Sequence, residues 1–326
     1  MTASNSKPTN AGQVQYVEID AEYAGQRIDN FLITFLKGAP RTLVYRLLRK
    51  GEVRVNKGRI KAQYRLQTGD IVRVPPVRLS PAKNSPKSGE NQLEFIRQQI
   101  IYDDDDLMIL NKPAGMAVHG GSGISSGVIE VLRQAFPMAK RLELVHRLDK
   151  DTSGCLMIAK KASVLKHLHT QIRENSMEKE YLALLKGGDM ESRFSVDLPL
   201  RKNVTRSGER VVTVDHEEGK NALSDFHVQQ RFDKAALVAI RIHTGRTHQI
   251  RVHSQAAGFP IAGDAKYGHA LFNREMKQQG LRRIFLHARR LKFQHPVKGE
   301  VMSISAPLPE DLKAMIQLLE KAKHGL

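Results

Sequence analysis

A single cysteine, Cys155, stands among 326 residues. The chain can therefore close no internal disulfide and build no cysteine-based zinc finger, which fits a reducing compartment. No apolar run approaches the ~20 residues that span a bilayer, and the polar N-terminus has no signal-peptide core. A cytoplasmic protein without membrane attachment is the expectation. Acidic residues are scarce beside basic ones: 34 Asp and Glu face 52 Lys and Arg, a formal charge of +18. A field of that sign draws polyanions and says nothing about fold; nucleic acid leads as partner and an anionic membrane surface comes second. No P-loop and no internal repeat occur.

What is present is ordinary for a globular protein, with 40% hydrophobic and 26% charged residues, and the length favours two or more domains. Residues 1–16 begin as a polar, disordered tail. From Arg27 the apolar positions Ile28, Phe31, Leu32, Phe35 and Leu36 follow an amphipathic helix that Gly38 and Pro40 end. A second helix buries Leu43, Val44, Leu47 and Leu48, offers Arg41, Arg46, Arg49 and Lys50 outward, and closes at Gly51. Short strands Val53–Val55 and Ile71–Val74 follow, joined by a turn at Asn56-Lys57-Gly58. Residues 20 to 80 carry 13 Lys and Arg against 5 Asp and Glu. Basic residues on one short helix and the β-turn after it, including Arg54 and Lys57, make a phosphate-tracking surface. The Ser-, Pro- and Lys-rich residues 81–91 have linker composition, so the expected domains are 17–80 and 92–326.

In the second domain, Ile100-Ile101-Tyr102 and Leu107–Leu110 flank the run Asp103–Asp106, which suits a turn better than a metal site. His119-Gly120-Gly121-Ser122-Gly123 suggests an esterase oxyanion loop, but no Gly-x-Ser-x-Gly elbow supplies the serine. Gly121-x-Gly123-x-x-x-Gly127 misses the dinucleotide spacing by one. The segment is left as a flexible loop near a ligand. Val164–Ile172 has helical character, Met177–Leu185 leads into a strand, residues 201–225 are polar with short β character at Val211-Val212, and Leu237–Ile242 is a strand. Phe285–Ala288 and Met302–Ile304 suggest more strands, and Glu310–Ala322 a closing helix. Strands dominate, with helices interspersed, which makes the class α+β.

Two stretches carry chemistry. Residues 144–154, Leu-Val-His-Arg-Leu-Asp-Lys-Asp-Thr-Ser-Gly, pack charges between two apolar runs and read as a rigid loop between strands. A surface turn with two backbone-bending Asp is the competing reading. His243, His248 and His253 recur every five residues, which fits neither one helix face nor one strand face, so no metal site is expected. An Asp beside an Arg stays ionised, as a carboxylate nucleophile needs, but spacing does not say which Asp or which Arg.

Together these motifs resemble a known family. His146-Arg147-Leu148-Asp149-x-Asp151-Thr152-Ser153-Gly154, with Asn111-Lys112-Pro113-Ala114-Gly115 before it and Lys179-Glu180-Tyr181 and Gly245-Arg246-Thr247-His248-Gln249-Ile250-Arg251 after it, is similar to the RluA family of RNA pseudouridine synthases over roughly residues 92–308. The N-terminal order, Arg27-Ile28-Asp29 through Tyr45–Asn56 to Gly69–Val72, resembles an S4 RNA-binding domain, an arrangement found in the family's large-subunit ribosomal RNA branch. The resemblance implies a mixed, mainly antiparallel sheet with flanking helices in the catalytic domain, and no cofactor or metal. Asp149 would be the nucleophile, Tyr181 the residue that stacks on the base and takes the C5 proton, and Arg246 the arginine that pairs with the Asp. Arg147 would enter the RNA stack where the uridine leaves, with His146 as a further RNA contact. Asp151 is left as a turn residue. The implied substrate is 23S rRNA or its large-subunit precursor, acted on by a monomer with no protein partner. A synthase acting on tRNA and a non-catalytic ribosome-assembly factor are the alternatives.

Overall fold

The computed structural model describes residues 13–323 except 22, 37–38, 78–87, 121–125, 140 and 205–209. Of the tail expected at 1–16, residues 1–12 lie outside the described residues, as do most of the linker (81–87) and the glycine-rich segment at 121–123, while Gln15 and Tyr16 are not tail but the start of a strand, paired with Val74 and Arg73. The chain divides into two compact units, Met1–Pro86 and Lys87–Leu326.

The first unit has strand β1 (Gln15–Glu18), helices α1 (Ile28–Phe35) and α2 (Arg41–Lys50), and strands β2 (Arg54–Val55), β3 (Gly58–Arg59) and β4 (Ile71–Val74). The sheet order is β1-β4-β2-β3. Ile28, Phe31 and Leu32 from α1 and Val44, Leu47 and Leu48 from α2 meet Val53, Val55 and Val72 in one apolar cluster. Gly51 ends α2 at φ 69, where its N–H reaches the Leu47 and Leu48 carbonyls; a left-handed residue there closes the helix most cheaply when it has no side chain. The turn after β2 has Asn56 and Lys57 both at positive φ (47 and 69), as a two-residue hairpin loop needs. That turn leads into β3 and not directly into Ile71–Val74, as the sequence had suggested, and β4 pairs with β2 only after residues 60–70.

The second unit opens with α3 (Glu90–Gln98), which starts inside the stretch of linker composition. Next come β5 (Ile100–Asp103), β6 (Leu107–Lys112), α4 (Val128–Ala135), β7 (Glu143–Leu144), β8 (Ser153–Ala159) and α5 (Ala162–Arg173). Then follow β9 (Glu178–Lys186), β10 (Arg193–Asp197), the hairpin β11 (Leu200–Val204) and β12 (Arg210–Val214), β13 (Leu223–Arg231), β14 (Ala235–Ile242) and α6 (Gln249–Ala256). The unit ends with α7 (Ala270–Gln278), β15 (Leu286–Gln294), β16 (Val301–Ser305) and α8 (Glu310–Lys323). One sheet runs β10-β13-β14-β9-β15-β8-β6-β5, with β16 on β15 and β7 on β8. Its described pairs are antiparallel except β8 with β15, whose register sets Ser153 beside His287 and Gly154 beside Ala288. The expected α+β class with a mixed, mainly antiparallel sheet is therefore observed.

The central strands bury both faces by two-residue alternation. Met108, Leu110, Leu156, Ile158, Tyr181 and Ala183 enter a core with α4 on one face. Leu107, Ile109, Cys155 and Met157 enter a second core with α5 on the other, and Leu182 and Leu184 a third with α7 and α8. Each such Leu or Ile contributes about 1.5–3 kcal/mol of transfer free energy, and the result is a stiff platform. Asp104 shapes the acidic turn between β5 and β6: its Oδ1 accepts the Asp106 and Leu107 N–H groups, and its Oδ2 faces Tyr102, His295 and Lys298.

Candidate active site

The loop before β8 is held from several sides. Leu148 is buried in the sheet core. The Thr152 N–H donates to the Asp149 carbonyl at 3.2 Å, closing a turn. Gly154 sits at φ +111, and a Cβ there would lie 2.2 Å from the Ala288 carbonyl oxygen, so only glycine lets β8 meet β15 this closely. From beneath, the fully buried Lys112 donates Nζ hydrogen bonds to the carbonyls of Pro113 (2.8 Å), Met116 (2.9 Å) and Lys150 (3.0 Å), while Gly115 N–H also reaches the Lys150 carbonyl (2.9 Å). Burial pulls Lys112 down to about 7 against the opposing carboxylates of Asp151 and Asp149. Three carbonyls match the three N–H groups of an ammonium. The peptide that follows Asp149 is thus fixed, and the Asp149 side chain, 25% exposed, turns into a cleft lined by Arg147, Tyr181, Arg246, His248 and Arg251.

Tyr181 projects from β9 on the same sheet face and is 8% exposed. Burial, with the Asp149 carboxylate adding, raises its phenol well above the usual range, so it faces the cleft as a neutral group. The third wall is the segment 243–251. Gln249 pins it: Oε1 accepts from Thr244 Oγ1 (2.7 Å) and Arg246 N (3.1 Å), and Nε2 donates to the Leu223 carbonyl and Ser224 Oγ.

Asp149 pairs with Arg251, not with Arg246 as the motif resemblance implied. Arg251 Nη1 stands 3.5 Å from Asp149 Oδ2, and its Nε and Nη2 hold the buried Asp264 at 2.7 and 2.8 Å. The cause is local geometry. Arg251 lies in the first turn of α6, where side chains lean back toward the helix start, whereas Arg246 lies in the preceding loop with Nε bound to the Asn221 carbonyl at 3.0 Å. Arg246 is exposed on the cleft wall. His248 Nε2 lies 3.8 Å from Asp149 Oδ2. Among the described residues Asp149 Oδ1 has no hydrogen-bond partner.

His146, expected as an RNA contact, also braces the neighbouring strand. Its Nε2 accepts the Met157 N–H at 3.1 Å, and burial lowers its pKa to about 4. It is a neutral clamp on β8. Arg147, next in sequence, is exposed and lines the cleft. His243 faces Asp225 and His253 binds Ser224 and the Leu198 carbonyl, so the three motif histidines do not converge.

In the first unit Arg46, Arg49, Lys50, Arg54 and Lys57 are all exposed; the Arg41 side chain lies outside the described residues. Arg49 also lines a hollow of about 550 Å³ with Tyr45, Arg59 and Lys61, three residues the sequence reading did not single out. Asp264 and Tyr267 were also missed. The glycines that bracket them in Gly263-Asp264-Ala265-Lys266-Tyr267-Gly268 were the available clue.

Residues 106–256 match the family model described as RNA pseudouridylate synthase, and residues 26–72 match the S4 domain. The chain belongs to the RluA family of RNA pseudouridine synthases, and it is an enzyme of that class with an S4 domain. Its relatives include the ribosomal large subunit pseudouridine synthase C of Escherichia coli K12, 53% identical over 318 residues that cover 97% of this chain and 99% of the relative. Another is the protein of the same name from Pasteurella multocida, 52% identical over 313 residues and 96% of each chain. The solved structure of human RNA pseudouridylate synthase domain containing 4 is 26% identical, with a TM-score of 0.58 over 70% of this chain and 95% of that one.

Proposed function

We propose that the chain converts uridine to pseudouridine in 23S rRNA of the large ribosomal subunit, with Asp149 as the reacting carboxylate. The observation that carries this is the convergence of Asp149, Tyr181 and Arg251 from three separate segments onto one cleft, in a chain that matches its large-subunit relatives nearly end to end. In the reaction the C1′–N1 bond breaks, the base turns, C5 bonds to C1′, and the C5 proton leaves while N1 gains one, so nothing is added or removed. Addition to the base and abstraction of a sugar proton both call for a carboxylate oxygen that faces substrate, a role assigned to Oδ1 because Oδ2 faces Arg251 and His248. Tyr181 supplies a ring face for the base and, as a neutral phenol, takes the C5 proton while its own O–H proton passes to the Asp149 carboxylate beside it. Arg246, on the same wall, is assigned to phosphate or ribose contact. Arg147 enters the stack vacated by the flipped uridine, where a planar guanidinium replaces a base at modest cost.

The S4 unit contributes phosphate affinity through Arg46, Arg49, Lys50, Arg54 and Lys57. Asp149, Tyr181 and Arg251 all come from one chain, which supports a monomer, and no helix among the described residues is long and apolar enough to cross a membrane. Action in the cytoplasm, where large-subunit precursors are found, completes the reading.

The test is pseudouridine mapping of rRNA and tRNA from a strain lacking this chain, complemented with the wild type or with Asp149→Asn. Signal should vanish at 23S sites, return with the wild type and stay absent with the variant. Loss confined to tRNA would overturn the rRNA assignment, and product from Asp149→Asn would overturn the nucleophile.

A further inference from the structure

His248 sits at φ 53, in left-handed backbone that only a few per cent of non-glycine residues adopt. Such strain survives where surrounding structure imposes it, and it gathers at functional sites. Here it directs the imidazole between two groups: Nδ1 lies 2.9 Å from the Tyr267 hydroxyl, and Nε2 faces Asp149 Oδ2 at 3.8 Å. The Tyr267 oxygen also receives the Val212 backbone N–H at 2.9 Å, from a strand of the β11–β12 hairpin.

These contacts fix the proton positions. A backbone N–H can only donate, so Tyr267 Oη accepts from Val212. If His248 Nδ1 also carried a proton, the hydroxyl would accept twice and its own O–H, on a residue 4% exposed, would have no acceptor among the described residues, an arrangement burial penalises. The O–H therefore donates to Nδ1, and the ring's one proton lies on Nε2, toward Asp149. We propose that Tyr267 and His248 form a positioning relay that ties the β11–β12 hairpin to Asp149, holding a neutral N–H donor against Oδ2 so that Oδ1 alone meets the uridine. The relay rests on the reading of Asp149 as the reacting carboxylate.

The charged groups that face His248 are Asp149, Arg251, Lys266 and Asp264; burial lowers its pKa first, with Asp149 opposing and Arg251 and Lys266 assisting. Asp264 opposes as Asp149 does, but burial with the two cations prevails, and the net lowering keeps the ring neutral as the hydroxyl requires. At 3.8 Å the N–H is set back from Asp149, a spacing common in unliganded sites that tighten around substrate. Arg251 lies across the Tyr267 ring, 5.0 Å from its centroid, so the same tyrosine steadies both groups that face Oδ2.

Tyr267→Phe tests this with least disturbance, because the ring stays in its cluster with Leu200, Val212 and Val252. His248→Asn is its companion, since asparagine tolerates left-handed backbone. Measured on the full-length enzyme with 23S rRNA, each should lower the single-turnover rate 5- to 50-fold while RNA affinity stays within twofold, and the double variant should be no slower than His248→Asn alone. Multiplying losses, or a loss of affinity with the rate unchanged, would overturn the relay. Nitrogen NMR of 15N-histidine-labelled wild-type enzyme gives a reading free of any folding defect: His248 should be protonated at Nε2 only, and a proton on Nδ1 would overturn the assignment. Asp149→Asn in the same assay separates the two ideas. Activity in that variant removes the nucleophile reading; an inactive Asp149→Asn beside full-rate Tyr267→Phe and His248→Asn removes the relay and leaves the nucleophile.

Discussion

Arg251 and Arg246 are five residues apart in one motif and do different physical work. Arg251 lies between two carboxylates, with Asp264 fully buried on one side and Asp149 on the other. Removing its charge strands Asp264, and breaking a buried pair from one side costs about 3–5 kcal/mol. Arg251→Met should therefore lower the unfolding free energy by about that much at neutral pH in urea titrations, and abolish turnover. Arg246 is exposed, and Arg246→Ala should keep stability within about 0.5 kcal/mol while raising KM. Equal stability of the two variants would contradict this division. The family resemblance implied that an arginine of this motif, Arg246, pairs with Asp149. Spacing alone could not show that Arg251 takes that place, because the choice depends on where α6 begins and on Asp264, thirteen residues further along. Tyr267 was hidden for the same reason, since its partners Val212 and His248 lie 55 and 19 residues away.

Strand β8 is the element on which the site depends, and two neutral histidines hold it. His146 accepts the Met157 N–H, and the buried His287 lies 2.9 Å from Ser153 Oγ through Nδ1 while its Nε2 faces the Ala306 carbonyl. Burial lowers both to about 4, below the ordinary value near 6.5. Between those values the unfolded chain binds the proton and the folded chain does not, so stability rises with pH; it is fully present above about 6.5 and is lost as pH falls toward 4. Each histidine accounts for up to about 3 kcal/mol of that loss. Urea midpoints across this window should fall as pH drops, and His146→Gln should weaken that dependence on pH; an unchanged dependence would clear His146 as a source. Element identity was legible where periodicity is strong. The segments read as helices became α1, α2, α5 and α8, and the apolar runs became β6, β8, β9 and β14. Strand order was not, because the parallel pairing of β8 with β15 leaves no local pattern.

At the scale of the whole molecule the excess of basic charge becomes a dependence on salt. Each phosphate neutralised adds about 0.7–0.9 to the slope of log affinity against log salt. Replacing Arg46, Arg49 and Lys50 together by Ala should reduce that slope by about 2 to 3 and weaken binding at low salt, with no change in the rate of bound RNA. The three are exposed, so folding should be unaffected; a slope identical to wild type would remove the S4 unit from phosphate contact. The composition already pointed to a polyanion, and the division of labour between a basic small unit and a sheet-borne cleft followed from where the charges and the apolar runs separate.

The join between β8 and β15 has a consequence in time as well as in space. Ser153 and His287 are 134 residues apart, and the glycine that admits this contact lies five residues after Asp149. During synthesis the loop is made early, but the strand that braces it emerges near the end. Contacts this distant in sequence form late and slowly. A growing chain therefore carries Asp149 for more than a third of its length before the loop acquires its brace, and a product truncated ahead of Leu286 would be left without it.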